Sequence, residues 1–206
     1  MPIHTLFWDI GGVLLSNGWD HEQRERVLAR FGIDRAAFEA RHHLIVPELE
    51  SGRLTLEAYL DQTAFAPGQA PCTRAEFYAA MLEQSTPHPE TLALAGALSK
   101  VDRLRMYALN NESRELGAYR IRTFALDRFL LGFLSSCYLG LTKPNPAIYR
   151  LALELTHTEP HAAVMIDDRA QNVEAARGVG MHAFLHTDAA STQAALEGLG
   201  VARPAG

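Results

Sequence analysis

Two short apolar runs lie near opposite ends of the chain, and each is followed directly by aspartate. The first run, residues 6–8, precedes Asp9, and the second, residues 163–166, precedes Asp167 and Asp168. Runs of this kind are typical of strands buried in a parallel sheet, and such sheets bind ligands at the carboxyl ends of their strands. If both strands belong to one sheet, we expect the three carboxylates to meet at one edge.

Strand-like and helix-like segments alternate along most of the chain. The predicted strands are residues 3–8, 104–109, 133–137, 163–166 and 181–185, and the predicted helices between them are 89–100, 145–155, 170–178 and 189–199. This alternation favours βαβ units, so we expect an α/β fold with a doubly wound parallel sheet. A loop is predicted at 66–71, and residues 201–206 are expected to fray.

Residues 17–84 interrupt the alternation because their spacing is helical and includes no strand pattern. Helices are predicted at 20–31, 34–44, from 55 onward and at 73–83. Gly32 is a plausible stop for the first, and Thr73 with Glu76 has capping-box spacing for the last. We therefore predict an α/β core of residues 1–16 and 85–206, with an all-helical cap of residues 17–84 over the carboxyl edge of the sheet.

Composition and charge argue against several classes of partner. The net charge of −5 provides no broad basic face for nucleic acid. The longest uncharged apolar stretch, residues 129–141, is too short to span a membrane. Cys72 and Cys137 form neither a CxxC pair nor a zinc-ligand spacing, and no signal segment is evident, so a cytoplasmic chain is predicted. The expected partner is a small molecule, and the oligomeric state stays open.

Four polar motifs follow one another in a fixed order. They are Asp9-Ile10-Gly11-Gly12-Val13, Leu109-Asn110-Asn111, Leu141-Thr142-Lys143-Pro144-Asn145-Pro146 and Ile166-Asp167-Asp168-Arg169. This order resembles the haloacid dehalogenase-like hydrolase superfamily, which has a Rossmann-like core. The chain is most similar to the branch with a small helical cap between the first two motifs, and to its sugar-phosphate phosphatases with an Asp-x-Gly first motif.

The resemblance implies a nucleophile and a metal site. It makes Asp9 the nucleophile of a phosphatase that passes through an aspartyl-phosphate, and Mg²⁺ the cofactor. The implied ligands are Asp9, the backbone carbonyl of Gly11, and Asp168. Asp167 is expected to bind the metal directly, to bind it through water, or to hold Lys143, which offsets negative charge on the nucleophile and phosphate.

The phosphate group is expected to meet both glycines of the first motif and polar groups of the next two. The implied phosphate-binding residues are Gly11, Gly12, Asn110, Asn111 and Lys143. Two of these positions depart from the family pattern. Gly11 replaces a second aspartate that transfers protons, a loss of about 10²–10⁴ in rate if nothing replaces it, and Asn110 replaces a serine or threonine. Water, the substrate or a cap residue is expected to supply the proton.

These features predict a Mg²⁺-dependent phosphatase of a small phosphorylated metabolite. One alternative is a haloacid dehalogenase that uses the same aspartate without metal, since Gly11 is compatible with it. A second is a catalytically impaired phosphate- or metal-binding module. Beyond the motifs, Asn172 is expected to buttress the acidic loop. Arg41, His42 and His43 are expected at a solvated helix end, with contact to the substrate as the alternative.

Overall fold

Five parallel strands form a single sheet in the part of the chain that the structure describes. The structure is a computed structural model, and it describes residues 2–66 and 71–201. The strands are β1 (Thr5–Trp8), β2 (Arg105–Asn110), β3 (Gly132–Ser135), β4 (Ala163–Asp167) and β5 (His182–Leu185), in the spatial order β3-β2-β1-β4-β5. The loop predicted at 66–71 and the fraying predicted at 201–206 lie mostly outside the described residues.

Helices connect these strands and also form the long segment between β1 and β2. In chain order they are α1 (His21–Phe31), α2 (Arg35–Glu50), α3 (Leu56–Gln62), α4 (Arg74–Leu82), α5 (Pro89–Leu98), α6 (Arg114–Thr123), α7 (Ser136–Leu139), α8 (Pro146–Leu155), α9 (Ala170–Gly178) and α10 (Ala189–Gly198). Among the helices of the described residues, none has the length and hydropathy needed to cross a bilayer.

The sheet is buried on both faces, which confirms the doubly wound α/β fold. Side chains alternate along a strand, so Leu6 and Trp8 of β1 pack on one face with α5 and α10. Phe7 packs on the other face with α8 and α9. A strand covered on both sides must be apolar throughout, which explains why the runs before the aspartates lack polar residues.

The chain adds β2 and β3 on one side of β1, and then crosses to the other side of β1 to add β4 and β5. Strand β1 therefore lies between β2 and β4. In the parallel register, Trp8 is paired with Ala108 of β2 and with Ile166 of β4. The residues that follow these partners therefore emerge together at the carboxyl edge of the sheet. A crevice forms where the strand order reverses, and this crevice is the usual ligand site of such folds.

The helical segment between β1 and β2 has a hydrophobic cluster of its own. Phe38, Tyr59 and Phe77 are among its fully buried members, and Leu116 of α6 also packs into it. The two chain segments that lead in and out are paired through a bridge between Leu15 and Pro87. The division into core and cap at residues 17 and 84 stays a prediction, but this helical insertion is packed around its own centre.

Local helix signals were predicted well. Gly32 ends α1 in the left-handed conformation, with φ of 63°. The side chain of Asp34 caps α2, and Thr73 and Glu76 form the predicted capping box.

Two predictions for the core were wrong or incomplete. The strand predicted at 133–137 ends at Ser135, because the chain turns there into the short helix α7. Helix α6 was not predicted, since charged residues interrupt any apolar stripe along it.

Candidate active site

Asp9 lies at the carboxyl end of the central strand, in the crevice between β2 and β4. Its backbone N–H donates to the carbonyl of Ile166 at 2.9 Å, which continues the sheet by one residue. Its Oδ1 accepts from the N–H of Ile10 at 2.8 Å. The carboxylate is thereby fixed at the start of the loop, with its Oδ2 turned toward Lys143.

Lys143 places its ammonium between two carboxylates. Its Nζ lies 3.0 Å from Asp9 Oδ2 and 2.6 Å from Asp167 Oδ2. The side chain is almost fully buried. Burial acts to lower the pKa of Lys143, but the charges of Asp9 and Asp167 outweigh it, so the pKa lies above its ordinary value. Lys143 is therefore a fixed positive charge in this site.

Asp167 is fully buried and uses both carboxylate oxygens. Oδ2 accepts from Lys143, and Oδ1 accepts from the N–H of Arg169 and from Nδ2 of Asn172, each at 2.9 Å. The contact from Asn172 confirms that this residue buttresses the acidic loop. Of the roles predicted for Asp167, these contacts match that of holding Lys143.

Asp168 sits against Gly12 and keeps a carboxylate oxygen without a partner. Its Oδ1 is buried and has no hydrogen bond among the described residues. Gly12 adopts φ of +74°, and a Cβ at this position would overlap the Asp168 carboxylate. The turn after β1 thus requires glycine twice over, for its backbone conformation and for this close approach.

The three acidic side chains form a cluster whose charge exceeds what Lys143 can balance. Carboxylate oxygens of Asp9, Asp167 and Asp168 lie within 4.8 Å of one another. Burial raises the pKa of Asp9 to about 6 against the pull of Lys143, and Asp167 and Asp168 add to the rise. An all-oxygen donor set with a free buried oxygen fits a hard divalent cation such as Mg²⁺.

The two asparagines after β2 have different surroundings. Asn111 holds the loop that carries Lys143: it accepts from the Lys143 N–H at 2.8 Å and donates to the Lys143 carbonyl at 2.9 Å. Asn110 is buried, and its Oδ1 accepts from the hydroxyl of Ser135 at 2.9 Å. Asn111 and Gly11 both border the cavity described next.

A cavity of about 360 Å³ opens above Asp9 and Lys143, between the sheet edge and the helical insertion. We call the sheet-edge side the floor: Asp9 and Lys143 border the cavity there, and we include Asp167 and Asp168, which lie beside them. The insertion contributes the opposite wall, which we call the roof: Trp19 and His42 border the cavity, and we include the buried Tyr59, which is hydrogen-bonded to both. The floor residues come from three separate parts of the chain, and the fold brings all of them together.

The roof contains a chain of neutral hydrogen bonds that the sequence did not reveal. Trp19 Nε1 donates to the Tyr59 hydroxyl at 3.1 Å, and that hydroxyl lies 2.7 Å from His42 Nδ1. Because indole is only a donor, the Tyr59 proton is left to donate to Nδ1. Burial, with Arg24 adding to it, lowers the pKa of His42 to about 4. The expectation of a solvated helix end was wrong for His42, which is buried, while His43 is exposed.

A buried ion pair beside the cavity was also missed. Arg120 Nη1 donates to Glu112 Oε2 at 2.9 Å, and Arg120 is 1% exposed. Its Nε donates to Ser85 Oγ at 3.1 Å and its Nη2 to the Ser16 carbonyl at 2.7 Å. The sequence signal available was Glu112 itself, an acidic residue directly after the second motif.

Comparison with known proteins places the chain in a family. The model of the haloacid dehalogenase-like hydrolase family matches residues 3–180. Among curated relatives, the rat bifunctional epoxide hydrolase 2 is 38% identical over 64 residues, which are 31% of this chain and 12% of that protein. The chain therefore corresponds to only a small part of that relative.

Solved structures share the fold at low sequence identity. A HAD family enzyme from Bacteroides thetaiotaomicron superimposes with a TM-score of 0.76 at 20% identity, covering 91% of this chain and 95% of that one. The same enzyme has also been solved in complex with magnesium and inorganic phosphate. The L-2-haloacid dehalogenase of Xanthobacter autotrophicus superimposes with a TM-score of 0.63 at 15% identity, covering 94% of this chain and 82% of that one. With a family match across most of its length and this shared architecture, the chain belongs to the haloacid dehalogenase-like hydrolases and is a hydrolase.

Proposed function

We propose that the protein is a Mg²⁺-dependent phosphatase that hydrolyses a small phosphorylated metabolite through an aspartyl-phosphate on Asp9. The observation that carries this proposal is the floor: a buried nucleophile, a fixed ammonium and a third carboxylate with a free oxygen share one crevice. Folds of similar shape include a magnesium- and phosphate-bound enzyme and a dehalogenase, so the choice between them rests on the floor's charges.

Each floor residue has a definite task in this proposal. Asp9 Oδ2 attacks phosphorus, and Lys143, 3.0 Å away, keeps that carboxylate ionised despite its burial. Asp168 and Asp9, with the Gly11 carbonyl, would hold Mg²⁺, which as a Lewis acid would neutralise phosphate oxygens. Asp167 orients Lys143. The phosphate would be bound by residues of the first three motifs, namely Gly11, Gly12, Asn110, Asn111 and Lys143. Asn111 also holds the loop of Lys143.

We further propose that the helical insertion, residues 17–84, acts as a cap that selects the substrate. The cavity of about 360 Å³ has the size of a small-metabolite site. Its roof places the neutral side chains of Trp19 and His42 above a charged floor. Asp20, Arg24 and Glu50 of the insertion also border the cavity. A phosphate group would lie on the floor, and a neutral polar part of the substrate would contact the roof.

The test is hydrolysis of p-nitrophenyl phosphate in the presence of Mg²⁺. Asp9→Asn is expected to abolish turnover, because the amide cannot form the aspartyl-phosphate. Asp102→Asn, the same change at an exposed position, should leave turnover intact. Unfolding midpoints for both variants would show that the protein is still folded.

Two results would favour the alternatives. Halide release from a 2-haloacid with chelator present, and no phosphate release, would indicate a dehalogenase. Mg²⁺-dependent binding of inorganic phosphate with no turnover of any phosphate ester would indicate a binding module.

A further inference from the structure

The space beside Gly11 is bordered by Asn17 and by a buried guanidinium. A Cβ built on Gly11 would lie 3.2 Å from Asn17 Oδ1 and 3.7 Å from Arg120 Nη1. The same Arg120 nitrogen donates to Glu112 Oε2. The Glu112 carboxylate therefore lies one hydrogen bond away from the atom that borders Gly11, and both Gly11 and Glu112 line the cavity with Asp9.

The surrounding backbone is adapted to this ion pair. Gly18 has φ of +69°, and a Cβ there would overlap the Arg120 guanidinium. Glu112 is held on three sides: its N–H donates to Ser136 Oγ at 3.0 Å, Oε1 accepts from the Ser113 N–H at 3.1 Å, and Oε2 accepts from Arg120. Buried ion pairs are expensive to form and are weak evidence for stability. A pair of this kind at the wall of a cavity is a candidate for function.

The reaction needs a proton donor that the floor does not contain. Expulsion of an alkoxide from phosphorus is slow unless its oxygen is protonated. Lys143 is paired with Asp9 and Asp167, Asp168 is assigned above to the metal, and Gly11 has no side chain. The other acids that border the cavity are Asp20, which pairs with Arg169, Glu50, and Glu112. Of these, Glu112 is the one linked through a single side chain to the space beside Gly11.

We propose that Glu112 is the general acid and general base of this hydrolysis, an inference that rests on the phosphatase function proposed above. Glu112 starts this step as the neutral carboxylic acid, with Oε2 still accepting from Arg120. When Asp9 Oδ2 bonds to phosphorus, the bond to the leaving oxygen breaks and Glu112 gives that oxygen its proton, so an alcohol departs. Glu112 then takes a proton from a water molecule that attacks phosphorus. The bond between phosphorus and Asp9 breaks, phosphate is released, and both carboxyl groups return to their starting states.

The electrostatic surroundings of Glu112 agree with this role. Burial raises its pKa to about 7, against the pull of Arg120 and the backbone N–H of Ser113, and the charges of Glu50 and Asp9 add to the rise. An acid that titrates near neutral pH can both give and take a proton under working conditions. Arg120 is a positioning residue here, since it holds the Glu112 carboxyl group through Nη1.

The experiment varies the leaving group. The specificity constant kcat/KM is measured for p-nitrophenyl, phenyl and benzyl phosphate, whose leaving groups need protonation in increasing order. Glu112→Gln keeps one acceptor oxygen, which can serve Arg120 or the Ser113 N–H, and carries no acidic proton. Its loss of kcat/KM relative to the natural protein is expected to grow along the series, to about 10²-fold or more for benzyl phosphate. Glu90→Gln, an exposed control outside the cavity, should not change the ratio among substrates.

A second variant keeps the inference falsifiable if the first merely weakens the structure. Gly11 is outside the left-handed region and its nearest neighbour is a side-chain atom at 3.2 Å, so Gly11→Asp can be accommodated by a small shift of Asn17. Adding Gly11→Asp to Glu112→Gln is expected to restore activity selectively toward benzyl phosphate.

The outcomes separate this inference from the proposed function. Equal losses of kcat/KM on all three substrates, or no loss on benzyl phosphate, would overturn the role of Glu112 while Asp9 stays the nucleophile. If the natural protein hydrolyses none of the three esters with Mg²⁺, both proposals fall together.

Discussion

The floor and the roof of the cavity bury polar groups in opposite ways. In the floor, Lys143 is placed between the ionised groups of Asp9 and Asp167 at hydrogen-bond distance. In the roof, Tyr59 and His42 are neutral and joined by a hydrogen bond. A buried charge needs an opposite charge beside it, whereas a neutral group needs only a hydrogen bond. Under the function proposed above, the floor with its Mg²⁺ would handle a charged phosphate, and the roof would contact an uncharged part of the substrate.

The largest effect is expected from removing the floor's ammonium. Lys143→Met leaves Asp9 and Asp167 buried without a cation, so the free energy of unfolding at pH 7 should fall by about 3–5 kcal/mol, and phosphatase activity should be lost. The deficit should shrink at lower pH, because protonation removes the unpaired charges. Urea unfolding of the natural protein and of Lys143→Met at several pH values measures this loss of stability.

The chain provides a matched control for this variant. Its only other lysine is Lys100, which is exposed. Lys100→Met should change the free energy of unfolding by no more than about 0.5 kcal/mol. Equal effects of the two substitutions would contradict the pairing described for the floor.

The next largest effect concerns the glycine against Asp168. Gly12→Ala places a methyl group into the Asp168 carboxylate and strains a backbone with φ of +74°, so stability should fall by about 1–2 kcal/mol. The apparent affinity for Mg²⁺, measured from the metal dependence of turnover, should fall as well.

A second glycine provides a control of opposite sign. Gly96 lies inside α5, and a Cβ there would meet no atom within 4 Å. Gly96→Ala should raise the free energy of unfolding by about 0.5–1 kcal/mol. If Gly12→Ala also proved stabilising, the close approach to Asp168 would be wrong.

The sheet and its floor could be predicted from the sequence because each signal there is local. A strand that is buried on both faces is apolar at successive positions, so it lacks the alternation of polar and apolar residues. Asp9 and Asp167 are the polar residues at which two such runs end. Parallel register then brings the ends of β1 and β4 together. The order of the motifs supplied the remaining member, Lys143, which no local pattern distinguishes from a surface lysine.

The roof could not be predicted, because its contacts join distant positions on helices. His42 and Tyr59 lie 17 residues apart, on α2 and α3, and their contact depends on how the two helices pack. The ion pair of Glu112 and Arg120 was missed for a related reason: it depends on α6, a helix with few apolar positions. Burial of a histidine or an arginine leaves no periodic trace in a sequence.

A smaller effect is expected from the buried histidine of the roof. His42 has a pKa of about 4 in the folded protein, against an ordinary 6.5. Between these pH values the unfolded chain binds a proton that the folded chain does not, so acidification through this window favours unfolding. His42→Asn, whose amide oxygen can take the place of Nδ1, should reduce this loss of stability by about 1–2 kcal/mol.

The comparison is made by urea unfolding at pH 4.5 and pH 7. His182→Asn is the control, because this side chain is exposed on β5, and it should leave the pH dependence as it is in the natural protein. A pH dependence that is the same in all three proteins would show that His42 is accessible to protons in the folded state.

The smallest effect is expected from a surface ion pair that joins the helical insertion to the loop after β4. Arg169, next to Asp168, donates to Asp20 at the start of α1 at 2.8 Å, and both side chains are about half exposed. Exposed pairs contribute about 0.2–1 kcal/mol, and salt screens them. A double-mutant cycle with Asp20→Asn, which can still cap α1, and Arg169→Gln should give a coupling in this range that vanishes in high salt.

The exposed pair of Arg30 and Glu83 inside the insertion should give the same value. A coupling well above 1 kcal/mol for Asp20 and Arg169 alone would mean that this ion pair, and not the packing of the insertion, holds the roof above the floor.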